Sequence, residues 1–185
     1  MTNISISEEI ATACPDLHVL VLSCDVCNSE PDERLWQEIA DEEKAVRETV
    51  KLEQINKWLP IQATRQAYKR LGKDPNRYRP SSEALRRRIL RELPLYKVDT
   101  LVDLINLVSI RSGYSIGGFD ADKIAGGSLV LGVGREGEIY HGIGRGELNI
   151  AGLPVYRDAV GGVGTPTSDE ERTKIGLDTT HLFMI

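Results

Sequence analysis

The chain has 185 residues, 41% of them hydrophobic and 28% charged, with a formal net charge of −5; this is the composition of one ordinary globular domain and excludes a disordered chain. No run approaches the roughly 18 apolar residues of a membrane span, and the opening MTNISISEEI has neither the basic start nor the apolar core of a secretory leader, so a cytoplasmic protein with no membrane partner is expected. The charge is segregated: residues 1–64 carry 5 basic and 13 acidic side chains, residues 65–97 carry 11 and 3, and residues 98–185 carry 7 and 12.

The first predicted element is a strand, LHVLVLSCDV, from Leu17 to Val26. It holds the CxxC pair Cys24 and Cys27. Residues three apart on a strand point to opposite faces, and no second ligand pair is visible, so no metal site is expected. Pro31 opens a long helical pattern in which Leu35, Ile39, Val46, Val50, Leu52, Ile55 and Leu59 recur at three-to-four spacing, with Pro60 as its stop. A second helix is predicted from about Ile61 to Leu71, ended by Gly72. After the loop KDPNRYRPS, Ser81 or Ser82 is expected to cap a third helix, SSEALRRRIL. Leu101, Leu104, Ile105 and Val108 share a face of a fourth, from Thr100 to Ile110.

The basic segment 65–97 spans the second and third of these helices. Such a stripe on an acidic protein suits a polyanion, and it equally suits a solvated face that pairs with the acidic N-terminal helix.

Beyond the fourth helix the texture changes, since sixteen of the 17 glycines lie from Gly113 onward. Short apolar runs (YSIGGF, SLVLGV, EIYHGI, LPVYRD and HLFMI) alternate with turns and read as a sheet of short strands. The expected class is therefore α+β: an N-terminal strand and helices, then a glycine-rich mixed or antiparallel sheet. HLFMI ends the chain in mid-strand, which suggests a further strand beyond it. GVGREG joins two strands instead of opening a helix, and no Walker-type loop is present, so no nucleotide cofactor is expected.

Three glycine-rich stretches read as walls of one pocket: Ser112 to Ile124, Tyr140 to Ile150, and GVGTPTSDEERTKI from Gly162 to Ile175. Glycine lets a backbone approach a ligand and leaves N–H groups pointing outward. In the third stretch Ser168 is expected to cap a short helix, DEERTKI, with Glu171 completing a capping box. The positive N-terminal end of that helix would face the pocket. Arg172 is left to pair with a nearby acid or to reach a phosphate.

NRYRPSSEALRRRIL, LPLYKVDTLVDLINLVSIRSGYSIGGFDADKI, GLPVYRD and the TSDEERT run, in that order, resemble the B3/4 tRNA-editing domain of the phenylalanyl-tRNA synthetase beta subunit. The likeness runs from about Lys69 to Ile175, and nothing resembles that enzyme's catalytic or anticodon-binding modules. It implies a free-standing B3/4-like editing or binding domain over 61–185, with 1–60 as an N-terminal strand and long helix that belong or attach to its core. It also implies an aminoacyl-ester pocket. Glu147 matches the family's pocket glutamate, Thr165 to Ser168 its hydroxyl-bearing wall, and Asn106 its helix asparagine. Gly117 stands where the family's synthetase members carry a histidine, and His141 is the candidate to replace it from the next strand.

In the catalytic reading, Glu147 and Thr165 act on the ester while backbone N–H groups of Gly117, Gly118 or Gly162–Gly164 stabilise the oxyanion. Phe119, His141, Gly164, Thr167 and Ser168 contact the substrate, with Asn106. Arg79, Arg86, Arg87 and Arg91 meet the tRNA. Two functions stay open: hydrolysis of misacylated aminoacyl-tRNA, or binding of tRNA, an amino acid or a nucleoside without chemistry. Neither involves DNA, a metal or a cofactor.

Overall fold

The chain begins with a strand that the sequence did not announce. The structure, a computed structural model, describes residues 3–185, so Met1 and Thr2 of the N-terminal stretch lie outside the described residues. β1 (Asn3–Ile6) is followed by α1 (Glu8–Ala13), which Ser7 caps by accepting the Ile10 N–H. Of the run from Leu17 to Val26, only β2 (Leu22–Asp25) is a strand. Leu17, Leu20 and Val21 stay exposed. The strand thus ends between the two cysteines; Cys24 is half-buried and Cys27 exposed. Among the described residues no group of His, Cys, Asp or Glu could hold a metal ion, and no helix is long and apolar enough to cross a membrane.

The long helical pattern breaks into three parts. α2 (Glu33–Thr49) is capped by Asp32 and ends where Val50 turns extended; a 3-10 segment over Leu52–Lys57 follows, and then α3 (Leu59–Arg70). Pro60 therefore opens a helix instead of stopping one, because a first-turn position needs no N–H donor. α4 (Ser81–Leu90) also departs from expectation. Pro80 holds the cap position without a side-chain bond. Neither serine caps, since Ser81 N–H goes to Pro166 O and the Ser82 hydroxyl meets that of Ser115. α5 (Thr100–Ser112) starts at Asp99, which accepts the Val102 N–H, and ends at left-handed Gly113 (φ 79°). Any Cβ there would lie 2.5 Å from the Trp58 ring, so that end admits only glycine.

The strands that follow are β3 (Gly118–Asp120), β4 (Ser128–Val133), β5 (His141–Gly142), β6 (Gly146–Glu147), β7 (Pro154–Arg157), β8 (Gly162–Gly164) and β9 (His181–Met184). They form a sheet of order β1-β4-β7-β8, a sheet of order β2-β9-β3 and the β5–β6 hairpin. Only the β1–β4 pair is parallel. The architecture is α+β, with helices first and a mixed, glycine-rich strand half second. β9, from the terminal HLFMI, is the middle strand of its sheet and is paired on both edges.

Two apolar clusters place the site. Phe119, Leu129, Val163 and Phe183 pack between the two sheets. Tyr68, Tyr140, Ile150, Leu153 and Val155 seat α3 against the larger sheet. Val46, Ile89 and Ile110 join α2, α4 and α5, while Ile105, Ile175 and Leu182 fix α5 on the smaller sheet.

Candidate functional site

The three glycine-rich stretches do come together, and Asp169 is where they meet. Isolated bridges pair Gly164 with Asp169 and Gly142 with Glu170. The Gly118 N–H donates to Asp169 Oδ2 at 3.3 Å. A Cβ on Gly164 would stand 3.0 Å from Asp169 Oδ1 and 2.5 Å from Phe119 Cζ; one on Gly117 would stand 3.4 Å and 2.7 Å from the same two atoms. Both positions must therefore be glycine for the Phe119 ring to lie beside the carboxylate. Phe119 itself is buried in the core, under the site and not on its surface.

Asp169 has no cationic partner among the described residues. Burial, offset only by the Gly118 N–H, pushes its carboxyl up to about 7. Asp158 shows the contrast. Burial would raise it too, but a two-pronged pair with Arg172 (2.9 and 3.0 Å) and the N–H groups of Ala125, Gly161 and Val160 bring it below the usual carboxylate range. That pair also settles Arg172: its partner is an acid.

No helix starts at Ser168. The bridges at Asp169 and Glu170 commit this backbone to extended pairing, and only a 3-10 turn over Glu171–Thr173 follows. Glu170, not Ser168, caps it by accepting the Arg172 N–H at 2.5 Å. The Thr165–Ser168 segment is a self-bonded loop. The Thr165 hydroxyl accepts the Thr167 and Ser168 N–H groups at 3.2 and 3.1 Å and donates to Ser168 O at 2.9 Å. Tyr140 OH donates to Ser168 O, Tyr68 OH and the Thr167 hydroxyl lie 2.9 Å apart, and Pro166 O takes the Ser81 N–H. Burial raises both phenols above their ordinary value, so they remain neutral at physiological pH. Thr165 thus shapes the wall, and its oxygen is occupied by the loop's own backbone.

Glu147 lies on β6, exposed, directly opposite His141 on β5. Opposed residues of an antiparallel pair project to one face. His141 Nδ1 is also 3.9 Å from Glu170 Oε1. Of the glycine N–H groups offered as oxyanion donors, two are engaged: Gly117 with Ile185 O and Gly118 with Asp169. Asn106 does not join the site. It faces a small cavity of about 30 Å³ between helices, lined also by Trp36, Leu85, Asp103 and Leu107, whereas its neighbour Ile105 is the α5 residue against Gly118.

Most of the basic segment is structural. Glu83, fully buried, is 2.8 Å from Arg65, 2.8 Å from Arg87 and 3.9 Å from Arg79. Arg86 is a correction to the expected tRNA contacts, because it is buried, stacked 3.7 Å over Trp58 and bonded through Nε and Nη2 to Ile110 O. It closes the C-terminal end of α5. Arg79 and Arg91 remain exposed. Asp169 and Glu170 are the site residues that sequence reasoning missed, since two adjacent acids after a serine read as the first turn of a helix.

A family model described as the B3/4 domain matches residues 63–185, about two thirds of the chain. No curated protein matches it.

Proposed function

The chain belongs to the B3/4 domain family, a tRNA-synthetase-related domain, and from that premise we propose that it hydrolyses wrongly esterified aminoacyl-tRNA. The observation that carries the reading is the convergence of three glycine-rich segments on one unpaired carboxylate beside a hydroxyl-lined loop. An aminoacyl ester is already activated, so holding it against a positioned water supplies much of the catalysis. Glu147 holds the ammonium or polar group of the amino acid, and the wall at Thr165–Ser168 bounds the pocket.

Removing the Glu147 carboxylate deletes a charge-assisted hydrogen bond worth about 1.5–3 kcal/mol. Glu147→Ala is therefore expected to slow deacylation of a mischarged tRNA roughly tenfold or more. Its unfolding midpoint should be unchanged, because the residue is exposed. If turnover holds while only the Michaelis constant rises, Glu147 binds and does not act in the transition state.

Binding without chemistry is the second reading, favoured by the engagement of the Gly117 and Gly118 N–H groups. Saturable amino acid or nucleoside binding that is lost in Glu147→Ala, with no ester hydrolysis, would establish it.

tRNA docks in this account on the exposed part of the basic segment. Reversing Arg79 and Arg91 to Glu should weaken tRNA binding severalfold and flatten its salt dependence, each lost phosphate contact lowering the slope by about one. Unchanged filter binding at low salt would remove the segment from the interface. Arg86→Glu is unsuitable for this purpose, since it places a carboxylate against Ile110 O in the interior.

A further inference from the structure

Asp169 is a carboxylate that meets no cation among the described residues yet keeps in touch with solvent. Its Oδ2 takes the Gly118 N–H, and its Oδ1 makes no hydrogen bond to the described residues. The enclosed side-chain atoms without a partner are Asn56 Oδ1 and Thr173 Oγ1. Asp169 Oδ1 is not one of them, and the residue is half-buried, so this oxygen is not sealed from solvent. The Phe119 ring fills the side-chain space of both glycines, so a water or a small substrate group reaches this lone acceptor from its solvent-facing side.

The other titratable groups nearby are engaged elsewhere. Glu170 directs its carboxylate to the N–H groups of His141 (3.4 Å) and Arg172. His141 lies beside Glu170, and the Tyr140 hydroxyl donates to Ser168 O. The elements that supply Gly117, Gly118 and Gly164 bring no ionisable side chain to Asp169, and its titration is set by burial and the Gly118 N–H.

Resting on the hydrolytic reading above, we infer that Asp169 is the general base of the reaction, with Oδ1 as the proton-accepting atom. As a water oxygen bonds to the ester carbonyl carbon, its proton passes to Oδ1. The bond from that carbon to the ribose oxygen then breaks, and the proton moves from Asp169 to the departing ribose oxygen. The amino acid leaves as its carboxylic acid, and no further reactant is needed. A base that titrates near neutrality has the proton affinity this transfer requires. A carboxyl held in this state weakens the fold at neutral pH, and such burdens concentrate at functional sites.

Asp169→Asn tests this. It keeps an oxygen to accept the Gly118 N–H and removes the proton acceptor. Single-turnover hydrolysis of a mischarged tRNA should fall about 100-fold or more. The rise of the wild-type rate with pH through about 7 should vanish, while tRNA affinity and the unfolding midpoint do not fall. Asp169→Ala should regain rate with added formate, which can enter the space that the carboxylate vacates. Wild-type hydrolysis alongside an Asp169→Asn variant that keeps its rate and its pH dependence overturns the inference and leaves the hydrolytic reading standing. A wild type that hydrolyses no ester overturns both.

Discussion

Glu83→Ala is expected to cost about 3–5 kcal/mol of folding stability, the range for breaking a buried ion pair by removing one partner. For a chain of this size that is a fall of roughly 6–20 °C in the unfolding midpoint. The carboxylate is fully buried and faces Arg65 and Arg87 at 2.8 Å. Arg65 is buried as well, and its other donors hold Pro75 O and Asn76 Oδ1. Without Glu83 its charge is left unpaired in the interior. The damage extends to the site, because Ser81, two residues earlier, holds the Thr165–Ser168 loop through Pro166 O. Glu83→Gln keeps the shape and one acceptor and should lose less. Exposed Glu53→Ala is the control and should stay within about 0.5 kcal/mol. Chemical denaturation measures all three, and an alanine variant within 1 kcal/mol of wild type would show that the arginine cluster does not depend on Glu83.

The second large effect is a stabilising one. Asp169→Asn should leave stability unchanged near pH 4 and raise it at pH 8. The folded-state carboxyl titrates at about 7, above its unfolded value. Between those values the folded chain binds more protons than the unfolded one, so stability falls as pH rises through that window and is flat above it. A displacement of about three units corresponds to about 4 kcal/mol, an upper bound because Oδ1 touches solvent. Asparagine carries no charge at any pH and escapes this loss. Asp120, Glu138 and Asp158 titrate below their ordinary values despite burial, through their ion pairs and hydrogen bonds, and lose stability as pH falls. The informative quantity is therefore the difference between variant and wild type across pH. A constant difference from pH 4 to 8 would mean that Asp169 binds protons alike in the folded and unfolded chain.

The helices were legible where periodicity and end signals agree. α5 is the clear case for its ends, where Asp99 caps it and Gly113 stops it; of the face expected to pack, Ile105 and Leu101 meet the smaller sheet while Leu104 and Val108 are exposed. Local pattern failed where the partner is distant in sequence. β1 is four residues long, and its register is fixed by β4, more than a hundred residues away. Pro60 carries the same letters whether it stops a helix or opens one, and the extended backbone at Val50 and Trp58 decided the matter.

The site divides in the same way. Glycine at 117 and 164 reads in the sequence as backbone approach to a ligand, whereas both pack against the Phe119 ring, where no side chain fits. The acid they enclose was not readable, since its isolation from cations is a property of three segments folded together. The Ser168–Glu171 spacing satisfied the capping-box pattern, yet the bridge from Glu170 to Gly142 overrode it. Counting charge over residues 65–97 could not reveal that one interior acid, Glu83, gathers three of the eleven cations.

The most direct test of the account is single-turnover deacylation of a panel of mischarged tRNAs by the wild-type protein, measured against spontaneous hydrolysis in buffer. At least one ester is expected to be lost far faster with protein than without, and the acceleration to fade in Glu147→Ala and Asp169→Asn. A panel in which every ester decays at its buffer rate, with the folded protein present in excess, would contradict it.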